Sequence, residues 1–180
     1  QEWSPKLGTE FLPMSGSVNA KKITADVVYV GFGLEAEDWN DYAGVDVKDK
    51  VVLMFRGAPE GKSSMSNTRK ARLAKEKGAV GVIFVGPAMT NGAEFPRLTR
   101  NQGIPTAAEL VGAGIHSKFF KNLTGLEFSA ARGMSAPASK ALDIKVDLVT
   151  ETEANRTKAK NVIGYLPGSE SEKMAPWAQA

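Results

Sequence analysis

The sequence predicts one domain of the α+β (mixed α/β) class, and three observations support this prediction. With 42% hydrophobic and 24% charged residues among 180, the chain has the composition of a single globular domain. Two continuous apolar runs, Val51–Phe55 and residues 79–85, flank a helical pattern and indicate a parallel strand-helix-strand unit. A third run, residues 142–150, alternates apolar and polar side chains, which is typical of a half-exposed antiparallel strand.

The N-terminal part predicts an extended arm followed by a strand and a loop. Residues 1–22 mix proline, glycine and lysine without a sustained period, so we expect an arm. Residues 23–32 are rich in β-branched and aromatic side chains and predict a strand, which Gly31 and Gly33 would end. Residues 35–44 are acidic and aromatic without a stable period, and predict a loop or a broken helical turn.

A helix is predicted between the two apolar runs. Ser66 or Asn67 can cap its N-terminus, and Gly78 can end it after Lys77. The preceding residues, 56–64, are rich in glycine and proline and predict a loop. The narrow apolar stripe of this helix consists of Ala71, Leu73 and Ala74.

The second half of the chain begins with a long loop. Residues 86–103 show no convincing period, and loops of this length in compact domains are usually functional or mobile. Residues 107–123 predict one or two short helices, which Gly112 and Gly114 would interrupt. The expected packing residues of these helices are Phe119 and Phe120.

The C-terminal residues predict a hairpin and a tail. After a loop at residues 132–139, the two alternating runs at 142–150 and 161–166 predict an antiparallel pair. Residues 170–180 predict a tail. The side chains expected to share the inner face of the first run are Leu142, Ile144, Val146 and Leu148.

Composition excludes several classes of function. The chain has no cysteine, which excludes a disulfide framework, thiolate catalysis and cysteine-ligated metals. Its one histidine, His116, argues against histidine-rich zinc sites and protease triads, and we expect a solvated or capping role for it. A net charge of +3 is too small to indicate nucleic acid binding. No apolar run approaches the ~20 residues that a membrane span needs.

Two glycine-rich loops suggest nucleotide binding, but both depart from the required pattern. Gly31, Gly33 and Ala36 fit a relaxed dinucleotide fingerprint after a strand, yet no helical period follows them. Residues 57–63 resemble a P-loop, but three residues separate the glycines where four are required, and Pro59 removes one N–H group. A nucleotide- or dinucleotide-binding protein using residues 31–36 or 57–63 is therefore an alternative interpretation.

Two charged clusters admit a functional and a structural interpretation. Four acidic residues in a short loop could ligate calcium, but their spacing does not match a calcium-binding helix-loop-helix and favours Asx turns and solvated acids. Five basic residues wind around the predicted helix, which favours a solubilising surface over an anion site. The acids are Asp38, Asp41, Asp46 and Asp49, and the bases are Arg69, Lys70, Arg72, Lys75 and Lys77.

Several segments, taken in order, resemble the protease-associated (PA) domain. They are Gly31-Phe32-Gly33, residues 41–53 (DYAGVDVKDKVVL), residues 77–83 (KGAVGVI) and Ile104-Pro105-Thr106. The chain is most similar to the PA domain inserted in co-catalytic zinc aminopeptidases of the bacterial leucyl aminopeptidase and transferrin receptor lineage. Residues 161–169 (NVIGYLPGS) resemble the segment at which that family's chain re-enters the peptidase domain.

The resemblance implies a swivelling β/β/α fold, with a small mixed sheet or open barrel and short flanking helices. The domain core would occupy residues 23–141, after an arm at 1–22 and before a segment at 142–180 that leads to a peptidase domain. The implied function is that of a non-catalytic module of a secreted or periplasmic enzyme, which controls substrate access or mediates protein interaction. Its expected partners are that peptidase domain and peptide or protein substrates, without nucleic acid or a membrane span.

The resemblance assigns no catalytic, metal or cofactor residue to this chain. The family's two zinc ions are held by histidine and acidic residues on later segments, which begin with a His-x-Asp motif. Within this chain, the loops at residues 56–64 and 86–103 are the ones most able to make gating or partner contacts, and the longer one has the apolar and basic side chains expected of such a surface. The candidate contacts are Phe95, Arg97, Leu98 and Arg100. A free-standing peptide- or sugar-binding module is a further alternative.

Overall fold

The structure is a computed structural model that describes residues 4–8, 10–14, 17, 22–86 and 110–151. These residues form a six-stranded mixed sheet, a separate two-stranded hairpin and short helices. The strands of the main sheet are β1 (Phe11–Pro13), β2 (Ile23–Tyr29), β5 (Val51–Phe55), β6 (Gly81–Gly86), β7 (Val111–His116) and β8 (Lys140–Leu148). The hairpin consists of β3 (Glu35–Ala36) and β4 (Trp39–Asn40), and the helices are α1 (Asn67–Glu76), α2 (Phe120–Thr124) and α3 (Phe128–Arg132).

The strand order is β1-β7-β6-β5-β2-β8. Strands β2, β5, β6 and β7 run parallel to one another, while β1 and β8 lie antiparallel at the two edges. Within the described ranges the sheet is open, and no barrel closes. This arrangement confirms the predicted α+β class and the mixed sheet that the resemblance implies.

The central strand β5 is buried on both faces because its two sets of side chains enter two different cores. Leu53 and Phe55 pack with aromatic rings from β2, α2 and α3, and the ring centroids of Phe55 and Phe120 are 4.9 Å apart. Val52 and Met54 pack on the opposite face against Ala71 and Ala74 of α1. A continuous apolar run is the pattern expected of such a strand.

Strand β8 has the predicted inner face but pairs with a distant strand. Its apolar residues face the sheet's aromatic core, while Asp143, Lys145 and Asp147 are exposed. It pairs antiparallel with β2, and Ile23 is the register partner of Leu148. Residues 161–166, which the sequence suggested as a hairpin partner, lie outside the described residues.

The structure corrects three predicted elements. Strand β2 ends at Tyr29, and the turn that follows leads into the hairpin β3–β4 where a loop or helical turn was expected. Residues 111–116 form β7, so Gly112 and Gly114 lie inside a strand and do not interrupt a helix. A Cβ at Gly112 would lie 2.9 Å from Cε of Met14, which shows why this strand needs glycine. The expected loop at 132–139 begins one residue later, because Arg132 ends α3.

Helix α1 begins as predicted, with Ser66 as its N-cap. The Ser66 hydroxyl accepts a hydrogen bond from the N–H of Arg69 at 3.3 Å. The predicted capping role of His116 is also confirmed, because its Nδ1 accepts from the N–H of Lys118 at 3.0 Å. None of the helices in the described ranges is long and apolar enough to cross a membrane.

Candidate functional site

Four ionisable side chains cluster where the parallel strands end, which is the usual place for ligands in sheets of this kind. They are Asp41, Arg56, Lys70 and Arg132. The cluster is therefore the first candidate for a functional site. The contacts of each side chain decide whether the cluster could bind a ligand or only supports the fold.

Asp41 closes the glycine turn that follows β2. Its Oδ2 accepts hydrogen bonds from the N–H groups of Phe32 at 3.1 Å and Leu34 at 3.0 Å, and its side chain is fully buried. Burial raises the pKa of this carboxyl above its usual range, against the lowering effect of the two N–H donors. The interpretation of this residue as a solvated acid was wrong.

Three consecutive N–H groups of this turn, those of Phe32, Gly33 and Leu34, already have partners within the fold. Besides the two N–H groups bound by Asp41, the N–H of Gly33 donates to the carbonyl of Val30 at 2.7 Å. Residues Glu35–Ala36 continue as a strand, whereas a dinucleotide fingerprint requires a helix that directs its N-terminus at the pyrophosphate. The geometry at residues 31–36 therefore stabilises the turn and does not match a dinucleotide-binding loop.

Lys70 fixes the start of the loop at residues 56–64. Its ammonium donates to the carbonyl of Phe55 at 3.1 Å and to the carbonyl of Gly57. The side chain is fully buried on α1, and this desolvation lowers the pKa of Lys70 to about 8. The sequence had suggested that Lys70 belongs to a solubilising helix surface. Its burial shows that this prediction was wrong for Lys70.

Arg132 covers the aromatic core from the end of α3. Its guanidinium carbon lies 5.2 Å from the ring centroid of Phe32 and 5.4 Å from that of Phe55. One N–H donates to the carbonyl of Arg56 at 3.1 Å. Burial lowers the pKa of Arg132. This side chain therefore joins the aromatic core to the end of β5.

Arg56 lies along a slot that two glycines leave open on the neighbouring strands. A Cβ at Gly86 would come 3.2 Å from Cδ of Arg56, and one at Gly114 would come 2.7 Å from its Nη2. The Nε atom is buried and has no hydrogen-bond partner among the described residues, and burial lowers the pKa of Arg56. Sequence reasoning missed this packing, because the two glycines lie about 30 and 60 residues from Arg56 along the chain.

The second glycine-rich loop and the acidic cluster are also held by internal contacts. Lys62 pairs with Asp38, so its ammonium is engaged within the fold. Asp46 forms the predicted Asx turn by accepting from the N–H of Lys48 at 3.0 Å. Among the described residues, no group of three or more histidine, aspartate or glutamate side chains could hold a metal ion.

A surface groove of about 630 Å³ lies between α1 and the hairpin β3–β4. Sequence reasoning missed it, although positions 69, 72, 73 and 76 have the spacing of one helix face. The predicted gating contacts Phe95, Arg97, Leu98 and Arg100 lie outside the described residues. The lining residues that bear on recognition are Glu35, Met65, Arg69, Arg72, Leu73 and Glu76.

Comparison with solved structures finds several similar chains, and two bacterial enzymes are among them. An aminopeptidase from Aneurinibacillus sp. strain AM-1 is 25% identical with a TM-score of 0.47, over 77% of this chain and 30% of the enzyme. BSAP, a zinc aminopeptidase from Bacillus subtilis, is 20% identical with a TM-score of 0.46, over 79% of this chain and 29% of the enzyme. The chain thus spans about 30% of the length of these enzymes. Comparison with curated proteins gives no match.

Comparison with family models gives a match over more than half of the chain. The model described as "PA domain" matches residues 23–123, from the start of β2 to the helix that follows β7. These are the residues that carry the parallel strands, the glycine turn at Asp41 and helix α1. The chain belongs to the PA domain family.

Proposed function

We propose that this chain is a non-catalytic accessory module of a longer, secreted zinc-dependent aminopeptidase, where it controls substrate access or holds a partner protein. The proposal that the chain is non-catalytic rests on one observation, which is that its buried charged side chains form hydrogen bonds with the backbone. Asp41, Lys70 and Arg132 all bond backbone groups of the loops at the strand ends. These side chains position loops, and none of them lines the groove between α1 and the hairpin, where an acid, base or nucleophile could meet a ligand.

The aminopeptidase part of the proposal is supported by sequence. Residues 161–169 resemble the segment at which the chains of such enzymes re-enter the peptidase domain. Two zinc ions would belong to that peptidase domain, and this chain would contribute no ligand to them. Secretion is proposed on the same resemblance.

The proposed route to selectivity runs through the loop at residues 56–64 and through a second loop, which the sequence predicts at residues 86–103. Residues 56–64 are described and are held by Lys70 and by the Lys62–Asp38 pair. The second loop carries Phe95, Arg97, Leu98 and Arg100, which we propose as contacts with substrate or with the peptidase domain. Exposed loops on a rigid scaffold are the usual carriers of such contacts.

Replacement of these four residues by alanine in the longer polypeptide tests substrate gating. We expect kcat/KM for a leucyl chromogenic substrate to stay within twofold, and kcat/KM for a peptide of eight or more residues to change at least fivefold. Lys145→Ala, an exposed change on β8, is the matched control and should alter neither value. Equal changes for both substrates would contradict gating by this loop.

A further inference from the structure

The groove between α1 and the hairpin β3–β4 has an unbalanced positive end. Arg69 and Arg72 lie one turn apart on the same helix face, and in the described part of the chain neither forms an ion pair. Both side chains are exposed. Two guanidinium groups at this spacing can meet one carboxylate or a pair of them.

The acid on the opposite wall is already neutralised. The Glu35 carboxylate accepts from Nζ of Lys77 at 2.8 Å and from Nδ2 of Asn40 at 3.3 Å. It therefore does not compensate the arginines. Glu76 lies at the far end of the groove and leaves a negative end there. The groove thus has a charge direction, from positive near the start of α1 to negative near its end.

The wall opposite α1 is held in place by contacts at both ends of the hairpin. Lys77 joins the end of α1 to Glu35 and lies 5.0 Å from the ring centroid of Tyr42. Lys62 joins the preceding loop to Asp38. A groove whose walls are already fixed loses little conformational entropy when a ligand enters.

Apolar surface lies between the arginines and Glu76, where Leu73 is a half-buried member of the groove lining. Met65, also half-buried, precedes the helix and lies on the other side of Arg69. Arg69 and Glu76 are seven residues apart on the helix, which corresponds to about 10 Å along its axis. An extended peptide covers that length with about three residues at ~3.3 Å each.

We propose that this groove binds a short extended peptide segment in which an acidic side chain is followed by apolar side chains and then by a basic or uncharged end. The acid would meet Arg69 and Arg72, the apolar residues would cover Leu73, and the other end would lie beside Glu76. This inference stands on the groove's own charges and shape, and does not require the chain to belong to an aminopeptidase.

The test is a titration of the ¹⁵N-labelled chain with the acetylated, amidated peptide Glu-Leu-Leu-Lys, followed by amide chemical shifts. We expect saturable shifts confined to residues around 35 and 65–76. Arg69→Gln and Arg72→Gln should each weaken binding about two- to fivefold, which is the range for exposed ion pairs. Lys145→Gln removes the same charge from β8 and should leave the affinity unchanged.

Four results would overturn the proposal. The first is equal weakening by Lys145→Gln, since that would mean non-specific attraction to a basic protein. The second is equal binding of the peptide Lys-Leu-Leu-Lys, since the arginines would then play no part. The third is the absence of saturable shifts at millimolar peptide. The fourth is saturation of the same amides by inorganic phosphate alone. The amide spectrum of each arginine variant, compared with that of the unaltered chain, shows that the variant is folded.

Discussion

Gly31 lies directly against the buried carboxylate of Asp41, so that a Cβ at position 31 would come 2.4 Å from Oδ1. Gly31 also has a φ of 50°, a conformation that glycine adopts more readily than other residues. The close approach lets the turn wrap around the carboxylate and place two N–H groups on its other oxygen. The glycine turn is thus built around an internal anion.

Gly31→Ala should strongly destabilise the fold, because it combines a left-handed backbone with a clash against a buried group. We expect a loss of about 3 kcal/mol or more in the free energy of unfolding, measured by urea denaturation. Gly44→Ala is the matched control, since Gly44 has a φ of 75° but no atom of the described part of the chain lies within 4 Å of the position that an alanine Cβ would take. The control should lose about 1 kcal/mol. Equal losses would show that the contact with Asp41 is unimportant.

Asp41 should give the protein a distinctive pH dependence. Its pKa is raised on folding, so its stabilising contribution is complete below the unfolded value of about 3.9 and is lost as pH rises through the folded value. Asp41→Asn keeps an acceptor for the two N–H groups but does not titrate. Relative to this variant, the unaltered protein should lose about 1.4 kcal/mol for each unit of pKa elevation as pH rises from about 4. A pH-independent difference in unfolding free energy would contradict a raised pKa.

Lys70 predicts the opposite trend at alkaline pH. Its pKa falls to about 8 in the folded chain, whereas an unfolded lysine titrates near about 10.4. Between these values the unfolded chain holds a proton that the folded chain has released, so the Lys70 contribution to stability grows as pH rises and is lost as pH falls through about 8. The difference in unfolding free energy from Lys70→Met should shift by about 2 kcal/mol between about pH 7 and pH 10 in favour of lysine. The same difference in unfolding free energy at both pH values would contradict a lowered pKa for Lys70.

Arg56 and Gly114 should be energetically coupled. Gly114→Ala brings a Cβ 2.7 Å from Nη2 of Arg56 and should cost about 1–3 kcal/mol of unfolding free energy. In an Arg56→Ala background the space is open, and the same change should cost less by about 1 kcal/mol or more. Gly112→Ala is the control, because its contacts are with Met14 and Val82, and it should show no coupling to Arg56. Additive effects of Gly114→Ala and Arg56→Ala would contradict the slot.

The elements predicted correctly are those whose signal lies within the element. Strand β5 is a continuous apolar run, α1 has a serine cap and a final glycine, and β8 alternates residue by residue. A strand buried on both faces needs a continuous apolar run, and an element with one exposed face needs a periodic one, so these patterns can be read from the sequence alone. These signals suffice for the α+β class and for the inner face of β8.

The missed features depend on residues that are distant in sequence. In the sequence Gly112 and Gly114 resemble helix breakers. The reason for these glycines is the space taken by Met14 and Arg56, which come from other parts of the chain. Asp41 resembles a surface acid, because its burial follows from the fold of the glycine turn around it. The partner of β8 is β2, more than 100 residues earlier in the chain. No local pattern contains this information.

The surface groove, too, could be predicted from the sequence only in part. Its helix face, with Arg69, Arg72 and Leu73, is readable from the spacing of α1. The opposite wall is a hairpin of two-residue strands, which is too short to give a strand pattern. The neutralisation of Glu35 by Lys77 joins residues 42 positions apart. The sequence therefore shows Arg69 and Arg72 on one helix face, but it does not show that Glu35 on the opposite wall is already paired with Lys77.

The most direct test of a non-catalytic role is hydrolysis of a leucyl chromogenic substrate with added zinc. The assay compares this chain alone with the same chain extended through the residues that follow it in its gene. We expect no hydrolysis above background by the chain alone and zinc-dependent turnover by the extended protein. Zinc-dependent turnover by the chain alone, abolished by a substitution within it, would contradict a non-catalytic role, because the buried charges would then have to serve catalysis.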